Sequence, residues 1–330
     1  MKKILILSDG KAGHENQSKA FARMLGYGFD IVHVAFKSRF AKMLSYLFDR
    51  LGVLSGALFS VAEKIDCREY AGIAGTGSGT FYAAKTLARK TGLPCCAILF
   101  PRGYSLGGFD CILAPSFDRP PERPNVMELP VNLVANDNAF YDEGERAFLE
   151  RHSPQPGTMK VSVIVGGPNK CSSMDAEWMK KELEKLFREN GEEAKRLGMK
   201  AEFWVTTSRR TPAGVEATVD SFPFDYKLLF SKDRFNPIPA FVKLSDRIYV
   251  TAESTGMLSE VCTFGKSEVF VLDNLNPGPH KFRRFIEDLA SAGMVGGSEK
   301  VDTGAYAKRA AAAMGFDICG GKAGGCDGLD

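Results

Sequence analysis

The chain has 330 residues, which is enough for two domains of ordinary size. Its composition, 44% hydrophobic and 25% charged, is typical of a soluble globular protein. The formal net charge of +3 is small for this length and does not favour nucleic-acid binding, which would need a clustered basic face. We therefore expect no nucleic-acid partner.

The eight cysteines form no CxxC pair in the sequence. Six of them lie in or near apolar or element-forming runs, so we interpret them as reduced core thiols. Cys319 and Cys326 flank a glycine-rich tail, where metal binding or pairing is the alternative. The N-terminal sequence MKKILILSDG is too short for a signal peptide, so the cytoplasm is the expected location.

Short apolar runs alternate with helix-like segments through the first half of the chain. Residues 4–7 are wholly apolar and predict a central parallel strand. A polar loop at 8–17 follows, and then a predicted helix at 18–25. Such a loop lies at the carboxyl edge of a parallel sheet, where doubly wound folds bind ligands. Further strands are predicted at 31–35, 70–75, 94–100 and 109–114.

Residues 40–61 are apolar but interrupted by Lys42, Asp49 and Arg50. The longest uncharged run, 51–62, is about half the length that crossing a bilayer requires. We interpret the segment as one or two core helices. The alternative is a hydrophobic patch that contacts a membrane or a lipid-linked acceptor.

A glycine-rich loop, GTGSGT, follows the predicted strand at 70–75. Its glycine spacing is GxGxG, whereas the dinucleotide fingerprint is GxGxxG, and Cys95 and Cys96 stand where the ribose-binding acid is expected. We therefore do not predict an NAD site. The loop, which includes Gly77, favours the close approach of an acceptor or a phosphate group.

The strand and helix pattern starts again after a Pro/Gly/Ser-rich linker at 152–157, which is the predicted domain boundary. We expect an α/β fold with two Rossmann-like domains facing each other across a cleft. The first domain is predicted at 1–151 and the second at 158–297. A helix and the glycine-rich tail complete the chain at 298–330.

The stretch 245–272 predicts a strand, a tight turn, a helix and a second strand, which together form a βαβ unit. Ser254 or Thr255 is suited to cap the helix, which ends at Gly265. Free backbone N–H groups and the helix dipole favour an anion such as a diphosphate at this N-terminus. Glu260 lies one and a half turns into the helix, where its carboxylate can accept hydrogen bonds from ribose hydroxyls.

Arg209 and Arg210 follow another predicted strand, at 201–206. Two adjacent guanidinium groups at the carboxyl end of a central strand are suited to bind phosphate oxygens. A solvated pair on a loop is the alternative.

Several segments of the sequence resemble a known protein family. They are SDGKAGHENQ at 8–17, FDCILAPSFD at 109–118, VGG at 165–167, TTSRRTP at 206–212, NPIPAFVKLSDRIYVT at 236–251 and ESTGMLSEV at 253–261. They resemble the mitochondrial-fission family called "elongated mitochondria", whose bacterial members are regarded as glycosyltransferases of the two-Rossmann, GT-B type. The resemblance implies transfer of a sugar from a nucleotide sugar to a saccharide or lipid-linked acceptor.

The second domain is then the donor side. Since no Asp-x-Asp motif stands between the two halves, we expect no metal and no cofactor besides the nucleotide-sugar substrate. The residues expected to bind the nucleotide sugar are Gly166, Gly167, Ser208, Arg209, Arg210, Glu253, Ser254, Thr255, Gly256, Met257 and Glu260.

The first domain is the acceptor side, and the acceptor hydroxyl needs a base. His14 is the first candidate, because histidine can take up a proton near neutral pH. A histidine that only orders its loop is the alternative, and Asp9 and Asp118 are alternative bases. The other acceptor-side residues are expected to be Lys11, Gly13, Asn16, Gln17 and Gly77.

Two further functions stay open at this point. One is a non-catalytic recruiting protein that keeps the sugar-nucleotide fold, and the other is a nucleotide-sugar epimerase. A lipid-linked acceptor would place the protein at the inner face of the membrane, with peripheral contact through 40–61.

Overall fold

The computed structural model describes residues 2–63 and 65–316, so the tail cysteines Cys319 and Cys326 lie outside the described residues. In chain order the strands are β1 Lys3–Ser8, β2 Phe29–Phe36, β3 Phe59–Val61, β4 Tyr70–Thr76, β5 Cys95–Ile98, β6 Cys111–Pro115, β7 Val126–Leu129, β8 Thr158–Val165, β9 Lys200–Thr207, β10 Tyr226–Leu228, β11 Arg247–Thr251 and β12 Glu268–Leu272. The helices are α1 Ala12–Met24, α2 Arg39–Arg50, α3 Phe81–Thr91, α4 Asn138–Leu149, α5 Ala176–Arg196, α6 Ala213–Ser221, α7 Ile238–Leu244, α8 Thr255–Thr263, α9 Lys281–Ser291 and α10 Thr303–Met314.

The described residues divide into two compact units. The first contains residues up to 129 together with 133–135 and 302–316, and the second contains 130–132 and 136–301. This division differs from the predicted boundary at 152–157, because α4 belongs to the second unit. In that unit Phe148 of α4 packs edge-on against Tyr226 and Phe241, with ring centroids 4.7 and 5.9 Å apart.

The last helix, α10, belongs to the first unit. Its residues Ala310, Ala311 and Met314 are buried in the same apolar cluster as Ile4 and Ile6 of β1. The described part of the predicted C-terminal segment 298–330 is therefore shared between the two units, and its helix completes the core of the first unit.

The first unit is built on a sheet with the strand order β3-β2-β1-β4-β5-β6-β7. Its neighbouring strands are parallel, except that β3 pairs antiparallel with β2 at one edge. Residues 4–7 of β1 are fully buried, as the apolar run predicts for a central parallel strand.

The second unit contains a parallel sheet with the order β10-β9-β8-β11-β12. In each sheet the strand order reverses once, between β1 and β4 in the first and between β8 and β11 in the second. Ligands of doubly wound folds bind at the carboxyl ends of the strands at such reversal points. The predicted α/β class with two Rossmann-like domains is confirmed.

The helix α1 begins six residues earlier than the sequence pattern predicts. Gly10, with φ of +79°, turns the chain directly after Asp9. The following AGHENQS contains neither proline nor a β-branched residue, so nothing delays the helix. As a result His14 lies in the first turn of α1 and not in a loop.

The segment 40–61 contains one helix, α2, and not the two that its apolar composition allows. Gly52, with φ of +70°, turns the chain after α2, and a 3-10 turn and β3 complete the segment. The core-helix interpretation is wrong for much of the apolar side of α2, because Phe40, Met43 and Leu47 are exposed. No helix in the described part of the chain is long and apolar enough to cross a bilayer.

A buried ion pair holds α2 against α3. The ammonium Nζ of Lys85 lies 2.7 Å from Oδ1 of Asp49, and both side chains are buried. Lys85 also donates to the carbonyl oxygen of Ser105 (2.6 Å), and the Ser105 N–H donates to Asp49 Oδ2 (2.6 Å). Burial lowers the pKa of Lys85, although the hydrogen bond to Asp49 opposes this effect.

The substitution Asp49→Asn should destabilise the first unit by about 3 kcal/mol, because it leaves the Lys85 charge buried without its counter-charge. Urea unfolding followed by circular dichroism measures the change. Asp66→Asn is the matched control: Asp66 pairs with Arg68 at the exposed surface, so its loss should have little effect. Equal effects of the two substitutions would contradict a structural role for the buried pair.

Candidate functional site

The carboxyl edge of the second sheet is organised by the side chain of Glu253, directly after β11. Its Oε1 atom accepts hydrogen bonds from the Gly167 N–H (2.7 Å) and from the hydroxyls of Thr251 and Ser254 (3.0 Å each). The Gly166 N–H donates to Thr251 Oγ1 (2.9 Å). The loop after β8 and the turn after β11 are thereby joined at the strand reversal point.

The other carboxyl oxygen of Glu253 has no hydrogen-bond partner among the described residues. Oε2 is buried and receives no hydrogen bond from the residues that the structure describes. Because a buried oxygen without a donor is costly, it indicates a place where a ligand or a water supplies one.

Gly166 and Gly167 provide space for neighbouring atoms of Glu253, Ser254 and Arg210. A Cβ on Gly166 would overlap Ser254 Oγ and Glu253 Oε1, and a Cβ on Gly167 would overlap the backbone of Arg210. Both glycines are expected from the sequence to bind the nucleotide sugar. In the structure their lack of a side chain allows the close approach of the neighbouring turn and loop.

The N-terminus of α8 is open. Ser254 occupies the N-cap position but makes no capping hydrogen bond, because its hydroxyl donates to Glu253. The predicted capping role of Ser254 is therefore wrong, and Thr255 is the first residue of the helix. Gly256 is exposed and has no described atom within 4 Å of the position of a Cβ.

The first N–H groups of a helix have no partner within the helix itself. Among the described residues, none accepts a hydrogen bond from the N–H groups of Thr255, Gly256 or Met257. These donors and the positive end of the helix dipole suit an anion.

The loop with the two arginines is fixed to the same edge of the sheet. The Thr211 hydroxyl donates to the Gly166 carbonyl oxygen (2.6 Å), and the Ser208 N–H donates to Thr211 Oγ1 (2.9 Å). Arg209 and Arg210 are exposed, and neither forms an ion pair with another residue in the described ranges. Their charges are thus available to a ligand beside the Gly166–Gly167 turn.

Glu260 lies in α8 beyond this open end. Its Oε1 accepts hydrogen bonds from the Tyr141 hydroxyl (3.0 Å) and from Asn136 Nδ2 (3.3 Å). Burial raises the pKa of the Glu260 carboxyl, although both donors oppose this effect. The predicted ribose acceptor is thus held in a fixed orientation within the second unit.

Asn274 is a candidate that the sequence analysis missed. It follows β12, and its side-chain Oδ1 and Nδ2 are buried without a hydrogen-bond partner among the described residues. An amide offers both a donor and an acceptor, which suits a nucleobase or a sugar hydroxyl. The only sequence signal is an asparagine shortly after a predicted strand.

In the first unit, Asp9 and His14 form a pair at the reversal point between β1 and β4. His14 Nδ1 lies 3.0 Å from Asp9 Oδ1 and 3.1 Å from Oδ2, so Nδ1 carries the hydrogen that the carboxylate accepts. Burial alone would raise the pKa of Asp9, but the hydrogen bonds from Lys11 and His14 outweigh it and lower the pKa.

The glycine-rich loop after β4 packs on this pair. Gly77 has φ of +81°, and a Cβ there would overlap the His14 ring, while a Cβ on Gly79 would lie 2.7 Å from the Cβ of Asp9. The predicted close approach at Gly77 is therefore an approach of His14. Sequence reasoning missed Glu15, which accepts a hydrogen bond from Ser8 (2.6 Å) and anchors α1 to the end of β1.

The other acceptor-side residues are only partly brought together. Lys11 pairs with Asp9 (3.0 Å), Gly13 and Asn16 are exposed in α1, and Gln17 is half-buried. Asp118 follows β6, three strands away from β1, or about 14 Å at the usual strand spacing. It pairs with Arg102 (2.9 Å), so the structure does not bring it to His14.

The described residues contain no cluster of three or more His, Cys, Asp or Glu side chains arranged to hold a metal ion. All six cysteines in the described residues are free thiols. Cys95, Cys96, Cys111 and Cys262 are buried, as predicted for core thiols, whereas Cys67 and Cys171 are only half-buried. Burial raises the pKa of Cys95 and Cys262 and thereby keeps these thiols protonated.

A sequence model of the family described as "Mitochondrial fission ELM1" matches residues 12–313. The chain belongs to this family. The match confirms the family resemblance of the sequence and includes His14, the two arginines and α8. A comparison with curated proteins gave no match.

Three solved structures illustrate the similarity of architecture. Acinetobacter baumannii MurG is 13% identical, with a TM-score of 0.47 over 95% of this chain and 91% of that chain. A Neisseria meningitidis UDP-GlcNAc 2-epimerase bound to UDP-GlcNAc is 12% identical, with a TM-score of 0.47 over 94% and 91%. The Escherichia coli ADP-heptose LPS heptosyltransferase II is 8% identical, with a TM-score of 0.41 over 88% and 98%.

The substitution Gly166→Ala should destabilise the second unit by about 1–3 kcal/mol, because the added methyl group forces Glu253 and Ser254 apart from the β8 loop. Thermal unfolding measures the change. Gly191→Ala in α5 is the control, since no atom lies within 4 Å of its Cβ position and alanine favours the helix. A Gly166→Ala protein as stable as the control would contradict the close contact at this turn.

Proposed function

We propose that this protein is a glycosyltransferase that moves a sugar from a nucleotide sugar to the hydroxyl of a saccharide or lipid-linked acceptor, without a metal cofactor. The observation that carries the proposal is the open N-terminus of α8 together with Arg209 and Arg210, which form no ion pair among the described residues. We expect the reaction in the cytoplasm, or at the inner face of the membrane if the acceptor is lipid-linked.

The donor would bind to the second unit. In the reaction the bond between the sugar carbon and the diphosphate oxygen breaks, and negative charge develops on the leaving diphosphate. Preorganised N–H groups at Thr255, Gly256 and Met257, together with the two guanidinium groups, would stabilise that charge. Ser208 would help to place the arginines, and Glu260 would bind the ribose.

The first unit would supply the base. The acceptor hydroxyl forms the new bond to the sugar carbon and gives its proton to Nε2 of His14. The contact with Asp9 keeps the hydrogen on Nδ1, which leaves Nε2 free to accept. The other acceptor-side residues, Lys11, Gly13, Asn16, Gln17 and Gly77, would surround this base.

Arg210→Gln should weaken the binding of a nucleoside diphosphate about tenfold or more, because it removes a charge-assisted contact. Calorimetric titration with UDP, ADP, GDP and CDP measures the affinity. Arg188→Gln is the control, since Arg188 is also an exposed arginine but lies on α5, away from the loop after β9 in the sequence.

No binding of any of these nucleotides to the wild-type protein would contradict the donor site and favour the non-catalytic recruiting role. Binding that Arg210→Gln leaves intact would remove the arginine from the site but keep the nucleotide. A sugar changed without an acceptor, seen by product analysis, would show an epimerase.

His14→Ala should lower the rate of sugar transfer about 100-fold or more while leaving nucleotide binding unchanged, because it removes the base but not the donor site. Asp9→Asn should lower the rate as well, since the amide can turn its N–H₂ toward Nδ1 and favour the other tautomer. Donor-dependent transfer or hydrolysis, followed with each nucleotide sugar, measures the rate. Turnover like that of the wild type in His14→Ala would exclude His14 as the base.

A further inference from the structure

The helix α2 exposes a row of large apolar side chains, which we call the α2 apolar face. It consists of Phe40, Met43, Leu47 and Leu51, whose exposures are 62%, 60%, 52% and 67%. At 100° per residue these side chains lie within about 80° of one another around the helix axis. They form a continuous strip along the whole length of the helix.

The opposite side of α2 is anchored in the first unit. Ala41, Ser45 and Asp49 are buried, and Asp49 forms the ion pair with Lys85. The Ser45 hydroxyl lies 3.0 Å from the Tyr104 hydroxyl. These fixed contacts on one side determine that the α2 apolar face points away from the core of its own unit.

Exposed apolar residues are concentrated in this segment. Of the eight large hydrophobic residues that are exposed in the described chain, five lie between 40 and 53. Single exposed leucines are normal on protein surfaces, whereas a contiguous cluster marks a binding surface.

The exposed charged residues in α2 and directly beside it in the sequence, between 37 and 62, are all positive. Lys37, Arg39 and Arg50 are exposed, and Lys42 is half-buried with its ammonium 3.1 Å from Ser78 Oγ. The only acidic residue between 37 and 62 is Asp49, which is buried against Lys85.

We propose that the α2 apolar face docks on the surface of an anionic lipid bilayer. Phe40, Met43, Leu47 and Leu51 would enter the boundary between headgroups and acyl chains, with Lys37, Arg39 and Arg50 paired with lipid phosphates. A second copy of the chain fits less well, because a symmetric contact through this face would bring two sets of positive charges together without an acid between them.

The helix α2 also lies close in the fold to the proposed acceptor base, through Lys42 on its side away from the α2 apolar face. Lys42 of α2 donates to Ser78, and the adjacent Gly77 packs on His14. A bilayer bound at α2 would therefore meet the same part of the first unit as an acceptor, which favours a lipid-linked acceptor over a free saccharide. That last step rests on the proposed function, whereas the docking itself does not.

Flotation of the full-length protein with lipid vesicles tests the proposal. The protein should float with vesicles of phosphatidylglycerol and phosphatidylcholine but not with phosphatidylcholine alone, and binding should fall as salt is raised. Leu47→Glu should reduce the bound fraction at least tenfold. Leu197→Glu is the matched control, since Leu197 is 53% exposed on the second unit and should bind as the wild type does.

Arg39→Gln with Arg50→Gln should weaken binding to the anionic vesicles and flatten its salt dependence. Vesicle binding that Leu47→Glu leaves intact would overturn the proposal. A wild-type dimer that Leu47→Glu dissociates, without vesicle binding, would assign the face to a second copy and overturn it as well. Because flotation measures lipid binding without a nucleotide, its outcome is independent of the nucleotide titration.

Discussion

The carboxyl group of Glu253 holds the carboxyl edge of the second sheet together. It joins the β8 loop to the β11 turn through the Gly167 N–H and the Thr251 and Ser254 hydroxyls. The Ser254 hydroxyl donates its hydrogen bond to Glu253, so the N-terminus of α8 has no side-chain cap. If a diphosphate binds at this N-terminus, the negative charge of the Glu253 carboxylate would repel it. Arg209 and Arg210 on the adjoining loop, which form no ion pair among the described residues, would offset this repulsion.

The two units place different residues at the same position of their sheets, the carboxyl edge at the strand reversal point. Ligands of such folds bind where the connections diverge at the reversal point. The first unit places a histidine and a carboxylate there, which suits proton transfer. The second places the amides at the start of α8 there and two guanidinium groups on the loop after β9, the strand beside β8, which suits an anion. The difference between the two units at this position therefore lies mainly in their side chains, since the backbone plan is shared.

The sequence predicts many of the strands and helices, but it does not predict the side-chain hydrogen bonds between loops. The order of strand, turn, helix and strand predicted for 245–272 is confirmed by β11, α8 and β12, because a β-branched, aromatic run makes β11 a strand. The short elements α6, β3 and β7 lack such signals. Neither the bond from Ser254 to Glu253 nor the unpartnered amide of Asn274 can be predicted from spacing, because both depend on which loops the fold brings together.

Which side chains of the segment 40–61 are exposed likewise depends on contacts that the fold makes. Its composition allows both a core helix and a membrane patch, and the core-helix interpretation favoured by the sequence is wrong for much of α2. The choice depends on Asp49, because a buried carboxylate needs a buried counter-charge and Lys85 supplies one only on one side of α2. Once Asp49 faces the core, the 3.6-residue period of the helix carries Phe40, Met43 and Leu47 to the opposite side. One buried acid thereby determines that the apolar strip becomes a surface and not a core.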